Sequence, residues 1–159
     1  MSASRTKLVH VLRENWREEM VVARIYAELA GAEPSPKRRE LLERMARSEE
    51  EHARLWAERL SALGETVDPA EIEAPLRKQQ RLLRMFGPDA MIRRIEREER
   101  GHVSDYQRQI ADLDDPLSTA ILQQVIPDEK AHAERLHAMA HEADHGPRSR
   151  LDALLAREK

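Results

Sequence analysis

The sequence has no cysteine, and that gap alone removes a large part of protein chemistry. Disulfides, thiolate nucleophiles and cysteine-ligated iron–sulfur centres are all excluded. Only five glycines occur, and they are scattered, so no phosphate-cradling loop can be built from them. Nowhere do eighteen apolar residues follow one another, and no secretory apolar stretch is present. The chain is therefore expected neither to span a membrane nor to carry a signal peptide. An excess of one charge is missing too: 27 Lys and Arg stand against 30 Asp and Glu, for a formal net charge of -3. Basic clusters such as "KRRE" and "RKQQR" lie among acids and read as solvated faces, so no nucleic-acid partner is expected. By elimination, histidine and carboxylate chemistry is what remains.

What is present favours helix. The 159 residues fit one domain, 36% of them are charged and 3% aromatic, and long stretches consist of Ala, Leu, Glu and Arg. Caps and stops predict an all-α chain with helices at about 4–30, 36–63, 88–113 and 116–143. Ser35-Pro36 and Asp115-Pro116 open the second and fourth, and Gly31 and Gly64 close the first and second. Residues 65–87 form a crossover with its own shorter helix, opened by the capping box Asp68-Pro69-Ala70-Glu71 and closed at Gly87. A kink or adjustment is expected at Pro127. The domain thus covers residues 1–143, and 144–159 form a short amphipathic tail.

The two halves are copies. A shift of 80 positions places Glu19 on Glu99, Tyr26 on Tyr106, Ser35-Pro36 on Asp115-Pro116, Glu49 on Glu129 and His52 on His132. Caps, core residues and unusual polar residues share one offset, which makes the chain a repeat of a helical hairpin. Two hairpins joined by a long connection pack most simply as an antiparallel four-helix bundle with the crossover between helices 2 and 3.

On each helix the apolar stripe, taken at steps of three and four, carries a polar interruption. Helix 1 reads Leu12, Asn15, Glu19, Val22, Tyr26; helix 2 reads Met45, Glu49, His52, Trp56. Helix 3 reads Ile95, Glu99, His102, Tyr106, and helix 4 reads Val125, Glu129, His132, Leu136. Glu50 and Glu51 point away. A shift of one residue would bring in Glu18 and Glu98, which also share the repeat offset. Four carboxylates in one interior should protonate, swell the core or prevent folding unless cations balance them. Two divalent cations would balance the charge, with one imidazole for each. One Glu from each of two helices, plus Glu-x-x-His from each of the other two, is the ligand set of a di-iron or di-manganese carboxylate site. Because a carboxylate can bridge two ions and a neutral imidazole cannot, Glu49 and Glu129 are the bridging candidates, with Glu19 and Glu99 terminal.

At these residues the sequence resembles the ferritin-like superfamily on its rubrerythrin side. "EEMVVARIYAELA" is similar to that group's first helix, and "SEEEHARLW" and "DEKAHAERL" to its two Glu-x-x-His helices. More narrowly, residues 15–64 are similar to the ferritin-like domain that precedes vacuolar-iron-transporter-type membrane domains in membrane-bound ferritins. The resemblance implies a ferritin-like bundle holding two iron ions, with manganese also permitted by the sulfur-free ligands. It also implies a cytoplasmic domain, stand-alone or excised, on the cytosolic face of a membrane and linked to an iron transporter domain. Two departures stand out. Full-length rubrerythrins carry a rubredoxin domain, which this chain has no cysteine to build. The third rubrerythrin helix has a second Glu three residues after the first, where this chain has His102. That histidine is either a seventh ligand or a core residue hydrogen-bonded to a ligand carboxylate.

Around the six ligands, Asp128 and Ser48 occupy matching repeat positions and could each accept from a ligand histidine. Tyr26 and Tyr106 either pack in the core or hydrogen-bond into the site. His137, His141 and His145 form a ladder that is solvated or gathers ions near an entrance. Three functional readings remain open on sequence: oxidation of Fe(II) by O2 or H2O2 in iron handling or detoxification, peroxide reduction with an external donor, and a non-catalytic iron sensor. A purely structural polar core is the fourth. The repeat would also allow a homodimer through an outer face, although no exposed apolar patch can be read from sequence.

Overall fold

A computed structural model of the chain describes residues 3–144, which contain four long helices and no strand. They are α1 (Ala3–Ala32), α2 (Pro36–Ala62), α3 (Glu73–Asp112) and α4 (Pro116–Asp144), with a single 3-10 turn at Pro69–Ile72 before α3. The expected tail beyond Asp144, and His145 with it, lie outside the described residues. Among the described residues no helix is long and apolar enough to cross a membrane.

Local chemistry sets the ends. Ser35 sits in extended conformation and its side chain accepts from the backbone N–H of Arg38, while Pro36 supplies a pre-set first helical residue. α2 ends at Gly64, whose φ of 80° is open to glycine at little cost. Its N–H returns to the carbonyl of Ser61, and that of Glu65 to Leu60, which satisfies two of the last free carbonyls. Asp68 and Glu71 make the reciprocal cap that opens the 3-10 turn.

The sequence predicts a short crossover helix closed at Gly87 and a new one from Pro88, and the chain breaks there: within α3 (Glu73–Asp112), Gly87 leaves helical geometry at φ 85° and ψ 174°. Glycine tolerates that conformation, and Pro88 restarts the helix beyond it. α1 runs on through Gly31 to Ala32, and α4 passes through Pro127 to Asp144.

α1 packs chiefly on α2, and α3 on α4, giving the two hairpins of the repeat. Two ties fix their relation. The Arg59 guanidinium at the end of α2 donates twice to Asp115, at 3.1 and 2.9 Å, while Asp115 caps α4 by accepting from the N–H of Ser118 at 3.1 Å. On the other side Arg17 of α1 donates to Glu71 at 2.6 Å and Arg13 to the Thr66 carbonyl at 2.7 Å, pinning the crossover. Inside, the apolar residues form two layers. One gathers Tyr26, Leu42, Met45, Ile92, Ile95 and Leu136; the other gathers Leu12, Trp56, Leu60, Tyr106, Leu122 and Val125.

Asp115 carries two duties at a largely buried position. Burial opposes its charge, but Arg59 and Ser118 outweigh that and hold its carboxyl below the usual range. Replacing it with alanine is expected to cost about 2–3 kcal/mol in urea unfolding at neutral pH. Because a depressed carboxyl stabilises only while ionised, that difference should shrink as the pH falls through the carboxylate range. A loss that stays constant down to pH 3 would show that packing, not charge, holds this corner.

Candidate metal centre

Between the two apolar layers lies a polar one. Glu19, Glu49, Glu99 and Glu129 have no exposed surface at all, and His52 and His132 are 2% exposed. Glu18 and Glu98 are only half buried, so the register that puts Glu19 and Glu99 inward holds. Glu50 and Glu51 face solvent.

The six side chains form two overlapping tetrads. Glu19, Glu49, His52 and Glu129 offer ligand atoms within 4.8 Å of one another, and so do Glu49, Glu99, Glu129 and His132. Glu49 and Glu129 belong to both, as expected of bridging carboxylates; Glu19 and Glu99 belong to one each. Within the first, His52 Nδ1 is 2.9 Å from Glu129 Oε1 and 3.5 Å from oxygens of both Glu19 and Glu49. Within the second, His132 Nδ1 is 2.8 Å from Glu49 Oε1 and 3.9 Å from Glu99 Oε2. Both imidazoles therefore present Nδ1 to the cluster, their rings stacked at 6.2 Å.

The surrounding groups orient these ligands, and they do so across the repeat. Tyr26 of the first half donates to Glu99 of the second at 3.2 Å, and Tyr106 of the second donates to Glu19 of the first. Burial, then the nearby carboxylate charges, push both phenols well above their usual range, so they stay protonated donors. Next to Tyr106, Asn15 and Gln109 exchange a pair of amide hydrogen bonds at 2.7 and 2.9 Å. Asp128 Oδ2 accepts from His52 Nε2 at 2.8 Å. No such bond joins its repeat counterpart Ser48 to His132 among the described residues. His102 is 8% exposed, with Nε2 3.3 Å from Glu18 Oε2 and Nδ1 3.9 Å from Glu129 Oε2. It falls outside both tetrads. His137 is exposed and bonds Glu96 at 2.7 Å, away from the cluster.

Glu18 as the neighbour of His102, and Gln109 as the partner of Asn15, are not foreseen by the sequence. Both depend on the axial offset between α1 and α3, which spacing within one helix does not encode. A polar Asn15 on an apolar stripe was the only signal that a partner had to exist.

On protein atoms alone the cluster settles into a near-neutral state. Burial, followed by neighbouring carboxylate charges, raises Glu49, Glu99 and Glu129 well above the carboxylate range. Burial acts on Glu19 in the same direction, but hydrogen bonds from Glu49 and His52 outweigh it and hold Glu19 at about 2. His52, against burial, is raised by its bonds to Glu129, Glu19 and Glu49 and is cationic. Burial and then repulsion from His52 lower His132 to about 4, so it is neutral.

The layer is not satisfied by its N–H and O–H donors. One oxygen of each of Glu19, Glu49, Glu99 and Glu129 is buried with no partner other than a proton shared with a neighbouring carboxyl, and His102 Nδ1 has none. Buried orphans of this kind are rare in protein interiors. Four of them converge from four helices in two tetrads of oxygen and nitrogen donors, the set that suits iron or manganese. The residues fit a pair of divalent cations.

The protonation states give a pH dependence with a definite sign. Glu49, Glu99, Glu129 and His52 are raised in the fold, so between their ordinary values and these the folded chain holds more protons than the unfolded one. Stability of the metal-free protein should fall as the pH rises above about 4.5. His132, lowered to about 4, opposes this only up to its ordinary 6.5. The melting temperature should thus fall from pH 5 to pH 8 in chelator and change far less with Mn(II) present. A metal-free protein equally stable at both ends would contradict these assignments. In a second test, Asp128→Asn should weaken Mn(II) binding by about 10–100-fold, the usual cost of losing a carboxylate behind a ligand histidine. Unchanged affinity would mean that Asp128 does not orient His52.

Comparison with known proteins places this geometry in context. No curated protein and no solved structure matches the chain significantly. The model of one family, Rubrerythrin, matches residues 10–140, which takes in all four helices and every residue of both tetrads. With the bundle, the repeat and the buried carboxylate–histidine layer in place, the chain belongs to the rubrerythrin family of the ferritin-like superfamily.

Proposed function

We propose that this protein binds two Fe(II) ions in the Glu49/Glu129-bridged site and oxidises them with O2 or H2O2, in iron handling or detoxification. The observation that carries this reading is the set of four buried carboxylate oxygens without partners, one on each ligand glutamate. Bound iron would supply the redox chemistry: two Fe(II) would give one electron each, enough with two protons to reduce H2O2 to two waters or O2 to H2O2.

The protein's own part is electrostatic and protonic. Four carboxylates against two imidazoles give a ligand set whose negative charge favours the more highly charged oxidation state. Binding would displace the protons that burial favours on Glu49, Glu99 and Glu129 and the one on His52 Nδ1, so metal affinity rises with pH. Tyr26 and Tyr106 hold one oxygen of Glu99 and of Glu19, leaving the other oxygen of each to the cations. Asp128 holds His52 Nε2, which leaves Nδ1 to ligate. The chain brings no cysteine with which to build its own electron carrier, so peroxide reduction coupled to another substrate would need an external donor. The membrane-linked setting implied by the sequence resemblance would make this domain the supplier of oxidised or captured iron to a transporter.

The test is anaerobic titration with Fe(II), followed by admission of O2 or H2O2, with Glu49→Gln as control. Uptake of two Fe(II) per chain is expected, then oxidation that repeats on further Fe(II) and exceeds the control by at least about 100-fold. Binding without repeated turnover would replace the ferroxidase reading with a sensor. Oxidation that matches Glu49→Gln would sink it altogether.

A further inference from the structure

α1 and α3 diverge on one side of the bundle and leave a cleft of about 320 Å³ open to solvent. Its walls carry Glu14, Arg17, Glu18 and Glu98, and His102 lines it as well. Three of these charges are already committed. Arg17 is paired with Glu14 and Glu71, and Glu98 accepts from Gln79 and faces Arg94 at 3.3 Å. Glu18 instead turns Oε2 toward His102 Nε2 at 3.3 Å.

His102 carries ligand atoms toward both the cleft and the buried layer. It is more than nine-tenths buried, and its Nδ1 has no hydrogen-bond partner. That nitrogen stands 3.9 Å from Glu129 Oε2, which is also without a partner. Two unsatisfied ligand atoms facing each other across such a gap are what a passing cation needs: metal–nitrogen and metal–oxygen bonds of about 2.0–2.2 Å each span it. Neutral imidazole can ligate through either nitrogen, so one ring can serve a cation on the Glu18 side and then on the Glu129 side. The ring packs at 6.2 Å on Tyr106 and is held in this orientation. The repeat counterpart of His102 is Val22, which also lines the cleft and offers no ligand atom.

We propose that Glu18 and His102 form an access site for divalent cations, distinct from the two tetrads, through which ions pass from the cleft to Glu129. This rests on the reading of the tetrads as a dinuclear metal site. The site holds its ion more weakly than the tetrads do, since it offers one carboxylate and one imidazole.

Co(II) is the probe, followed by its visible absorption, which reports binding without any turnover. Wild type is expected to bind two Co(II) tightly and a third weakly. His102→Val, which copies the residue at the repeat position, should keep the two tight ions, lose the third, and fill the tight sites more slowly on the order of tenfold. Glu18→Gln, at a half-exposed position where folding is not at risk, should do the same. A third ion that persists in both variants, or a wild type that saturates at two, overturns the access site while leaving the dinuclear reading intact. Loss of a tight ion in His102→Val also overturns it, because His102 would then be a ligand of the centre itself. Absence of tight Co(II) from wild type removes both readings together.

Discussion

Everything in this bundle is arranged around the cost of burying four carboxylates in one layer. A single unpaired carboxylate in a protein interior costs several kcal/mol, and like charges beside it add to that. The fold contains this cost in three ways. Apolar layers above and below, anchored by residues such as Leu42 and Ile92 on one side and Trp56 and Leu122 on the other, supply cohesion that does not depend on charge. Burial raises Glu49, Glu99 and Glu129 well above the carboxylate range, which favours their neutral forms, while Glu19 is held low beside His52. Tyr26 and Tyr106 satisfy one oxygen of each terminal glutamate. What these devices leave unsatisfied is one oxygen per carboxylate, and that residue of unpaired polarity is where cations belong.

Four side-chain bonds at the centre of the layer join one half of the repeat to the other. Tyr26 meets Glu99 and Tyr106 meets Glu19; His52 meets Glu129 and His132 meets Glu49. A lone hairpin would therefore carry two inward carboxylates without these partners. The layer makes the halves interdependent: it is costly for each and satisfied only when both are docked. The polar layer thus also fixes the register of the two hairpins, because an axial slip of one turn would separate each donor from its acceptor.

The sequence discloses those features that have a period. The stripe of each helix, the inward turn of Glu49 and His52, and the offset of 80 that matches Glu19 to Glu99 all follow from intervals along one chain segment. Contacts between helices that are not neighbours in sequence follow no interval. The pairing of Glu18 with His102, of Asn15 with Gln109 and of Arg59 with Asp115 depends on how far the helices slide along one another, and packing decides that. Asp128 was legible as an acceptor for an opposing histidine because its repeat position constrained it, but the same logic nominated Ser48, which has no such bond. Gly87-Pro88 was legible as a break because its chemistry is local: a glycine free to leave helical geometry, followed by a proline suited to a first helical position.

Two departures from symmetry lie directly beside the ligands, one at a histidine of a single tetrad and one at a carboxylate shared by both. Asp128 stands behind His52, where the other half has Ser48, and His102 approaches Glu129 from the side where the other half has Val22. Neither substitution touches the six ligands, so both tetrads retain two shared carboxylates, one terminal carboxylate and one imidazole. The difference lies in what surrounds them. A carboxylate behind a histidine makes that imidazole the stronger donor. His132, by contrast, has the edge of Tyr26 at 6.1 Å and no carboxylate at its back. A cation beside His52 would therefore meet a more strongly donating imidazole than one beside His132. A duplicated hairpin alone would give two equal positions; changing one residue beside a ligand and one beside a bridge makes them unequal while leaving the ligand set whole.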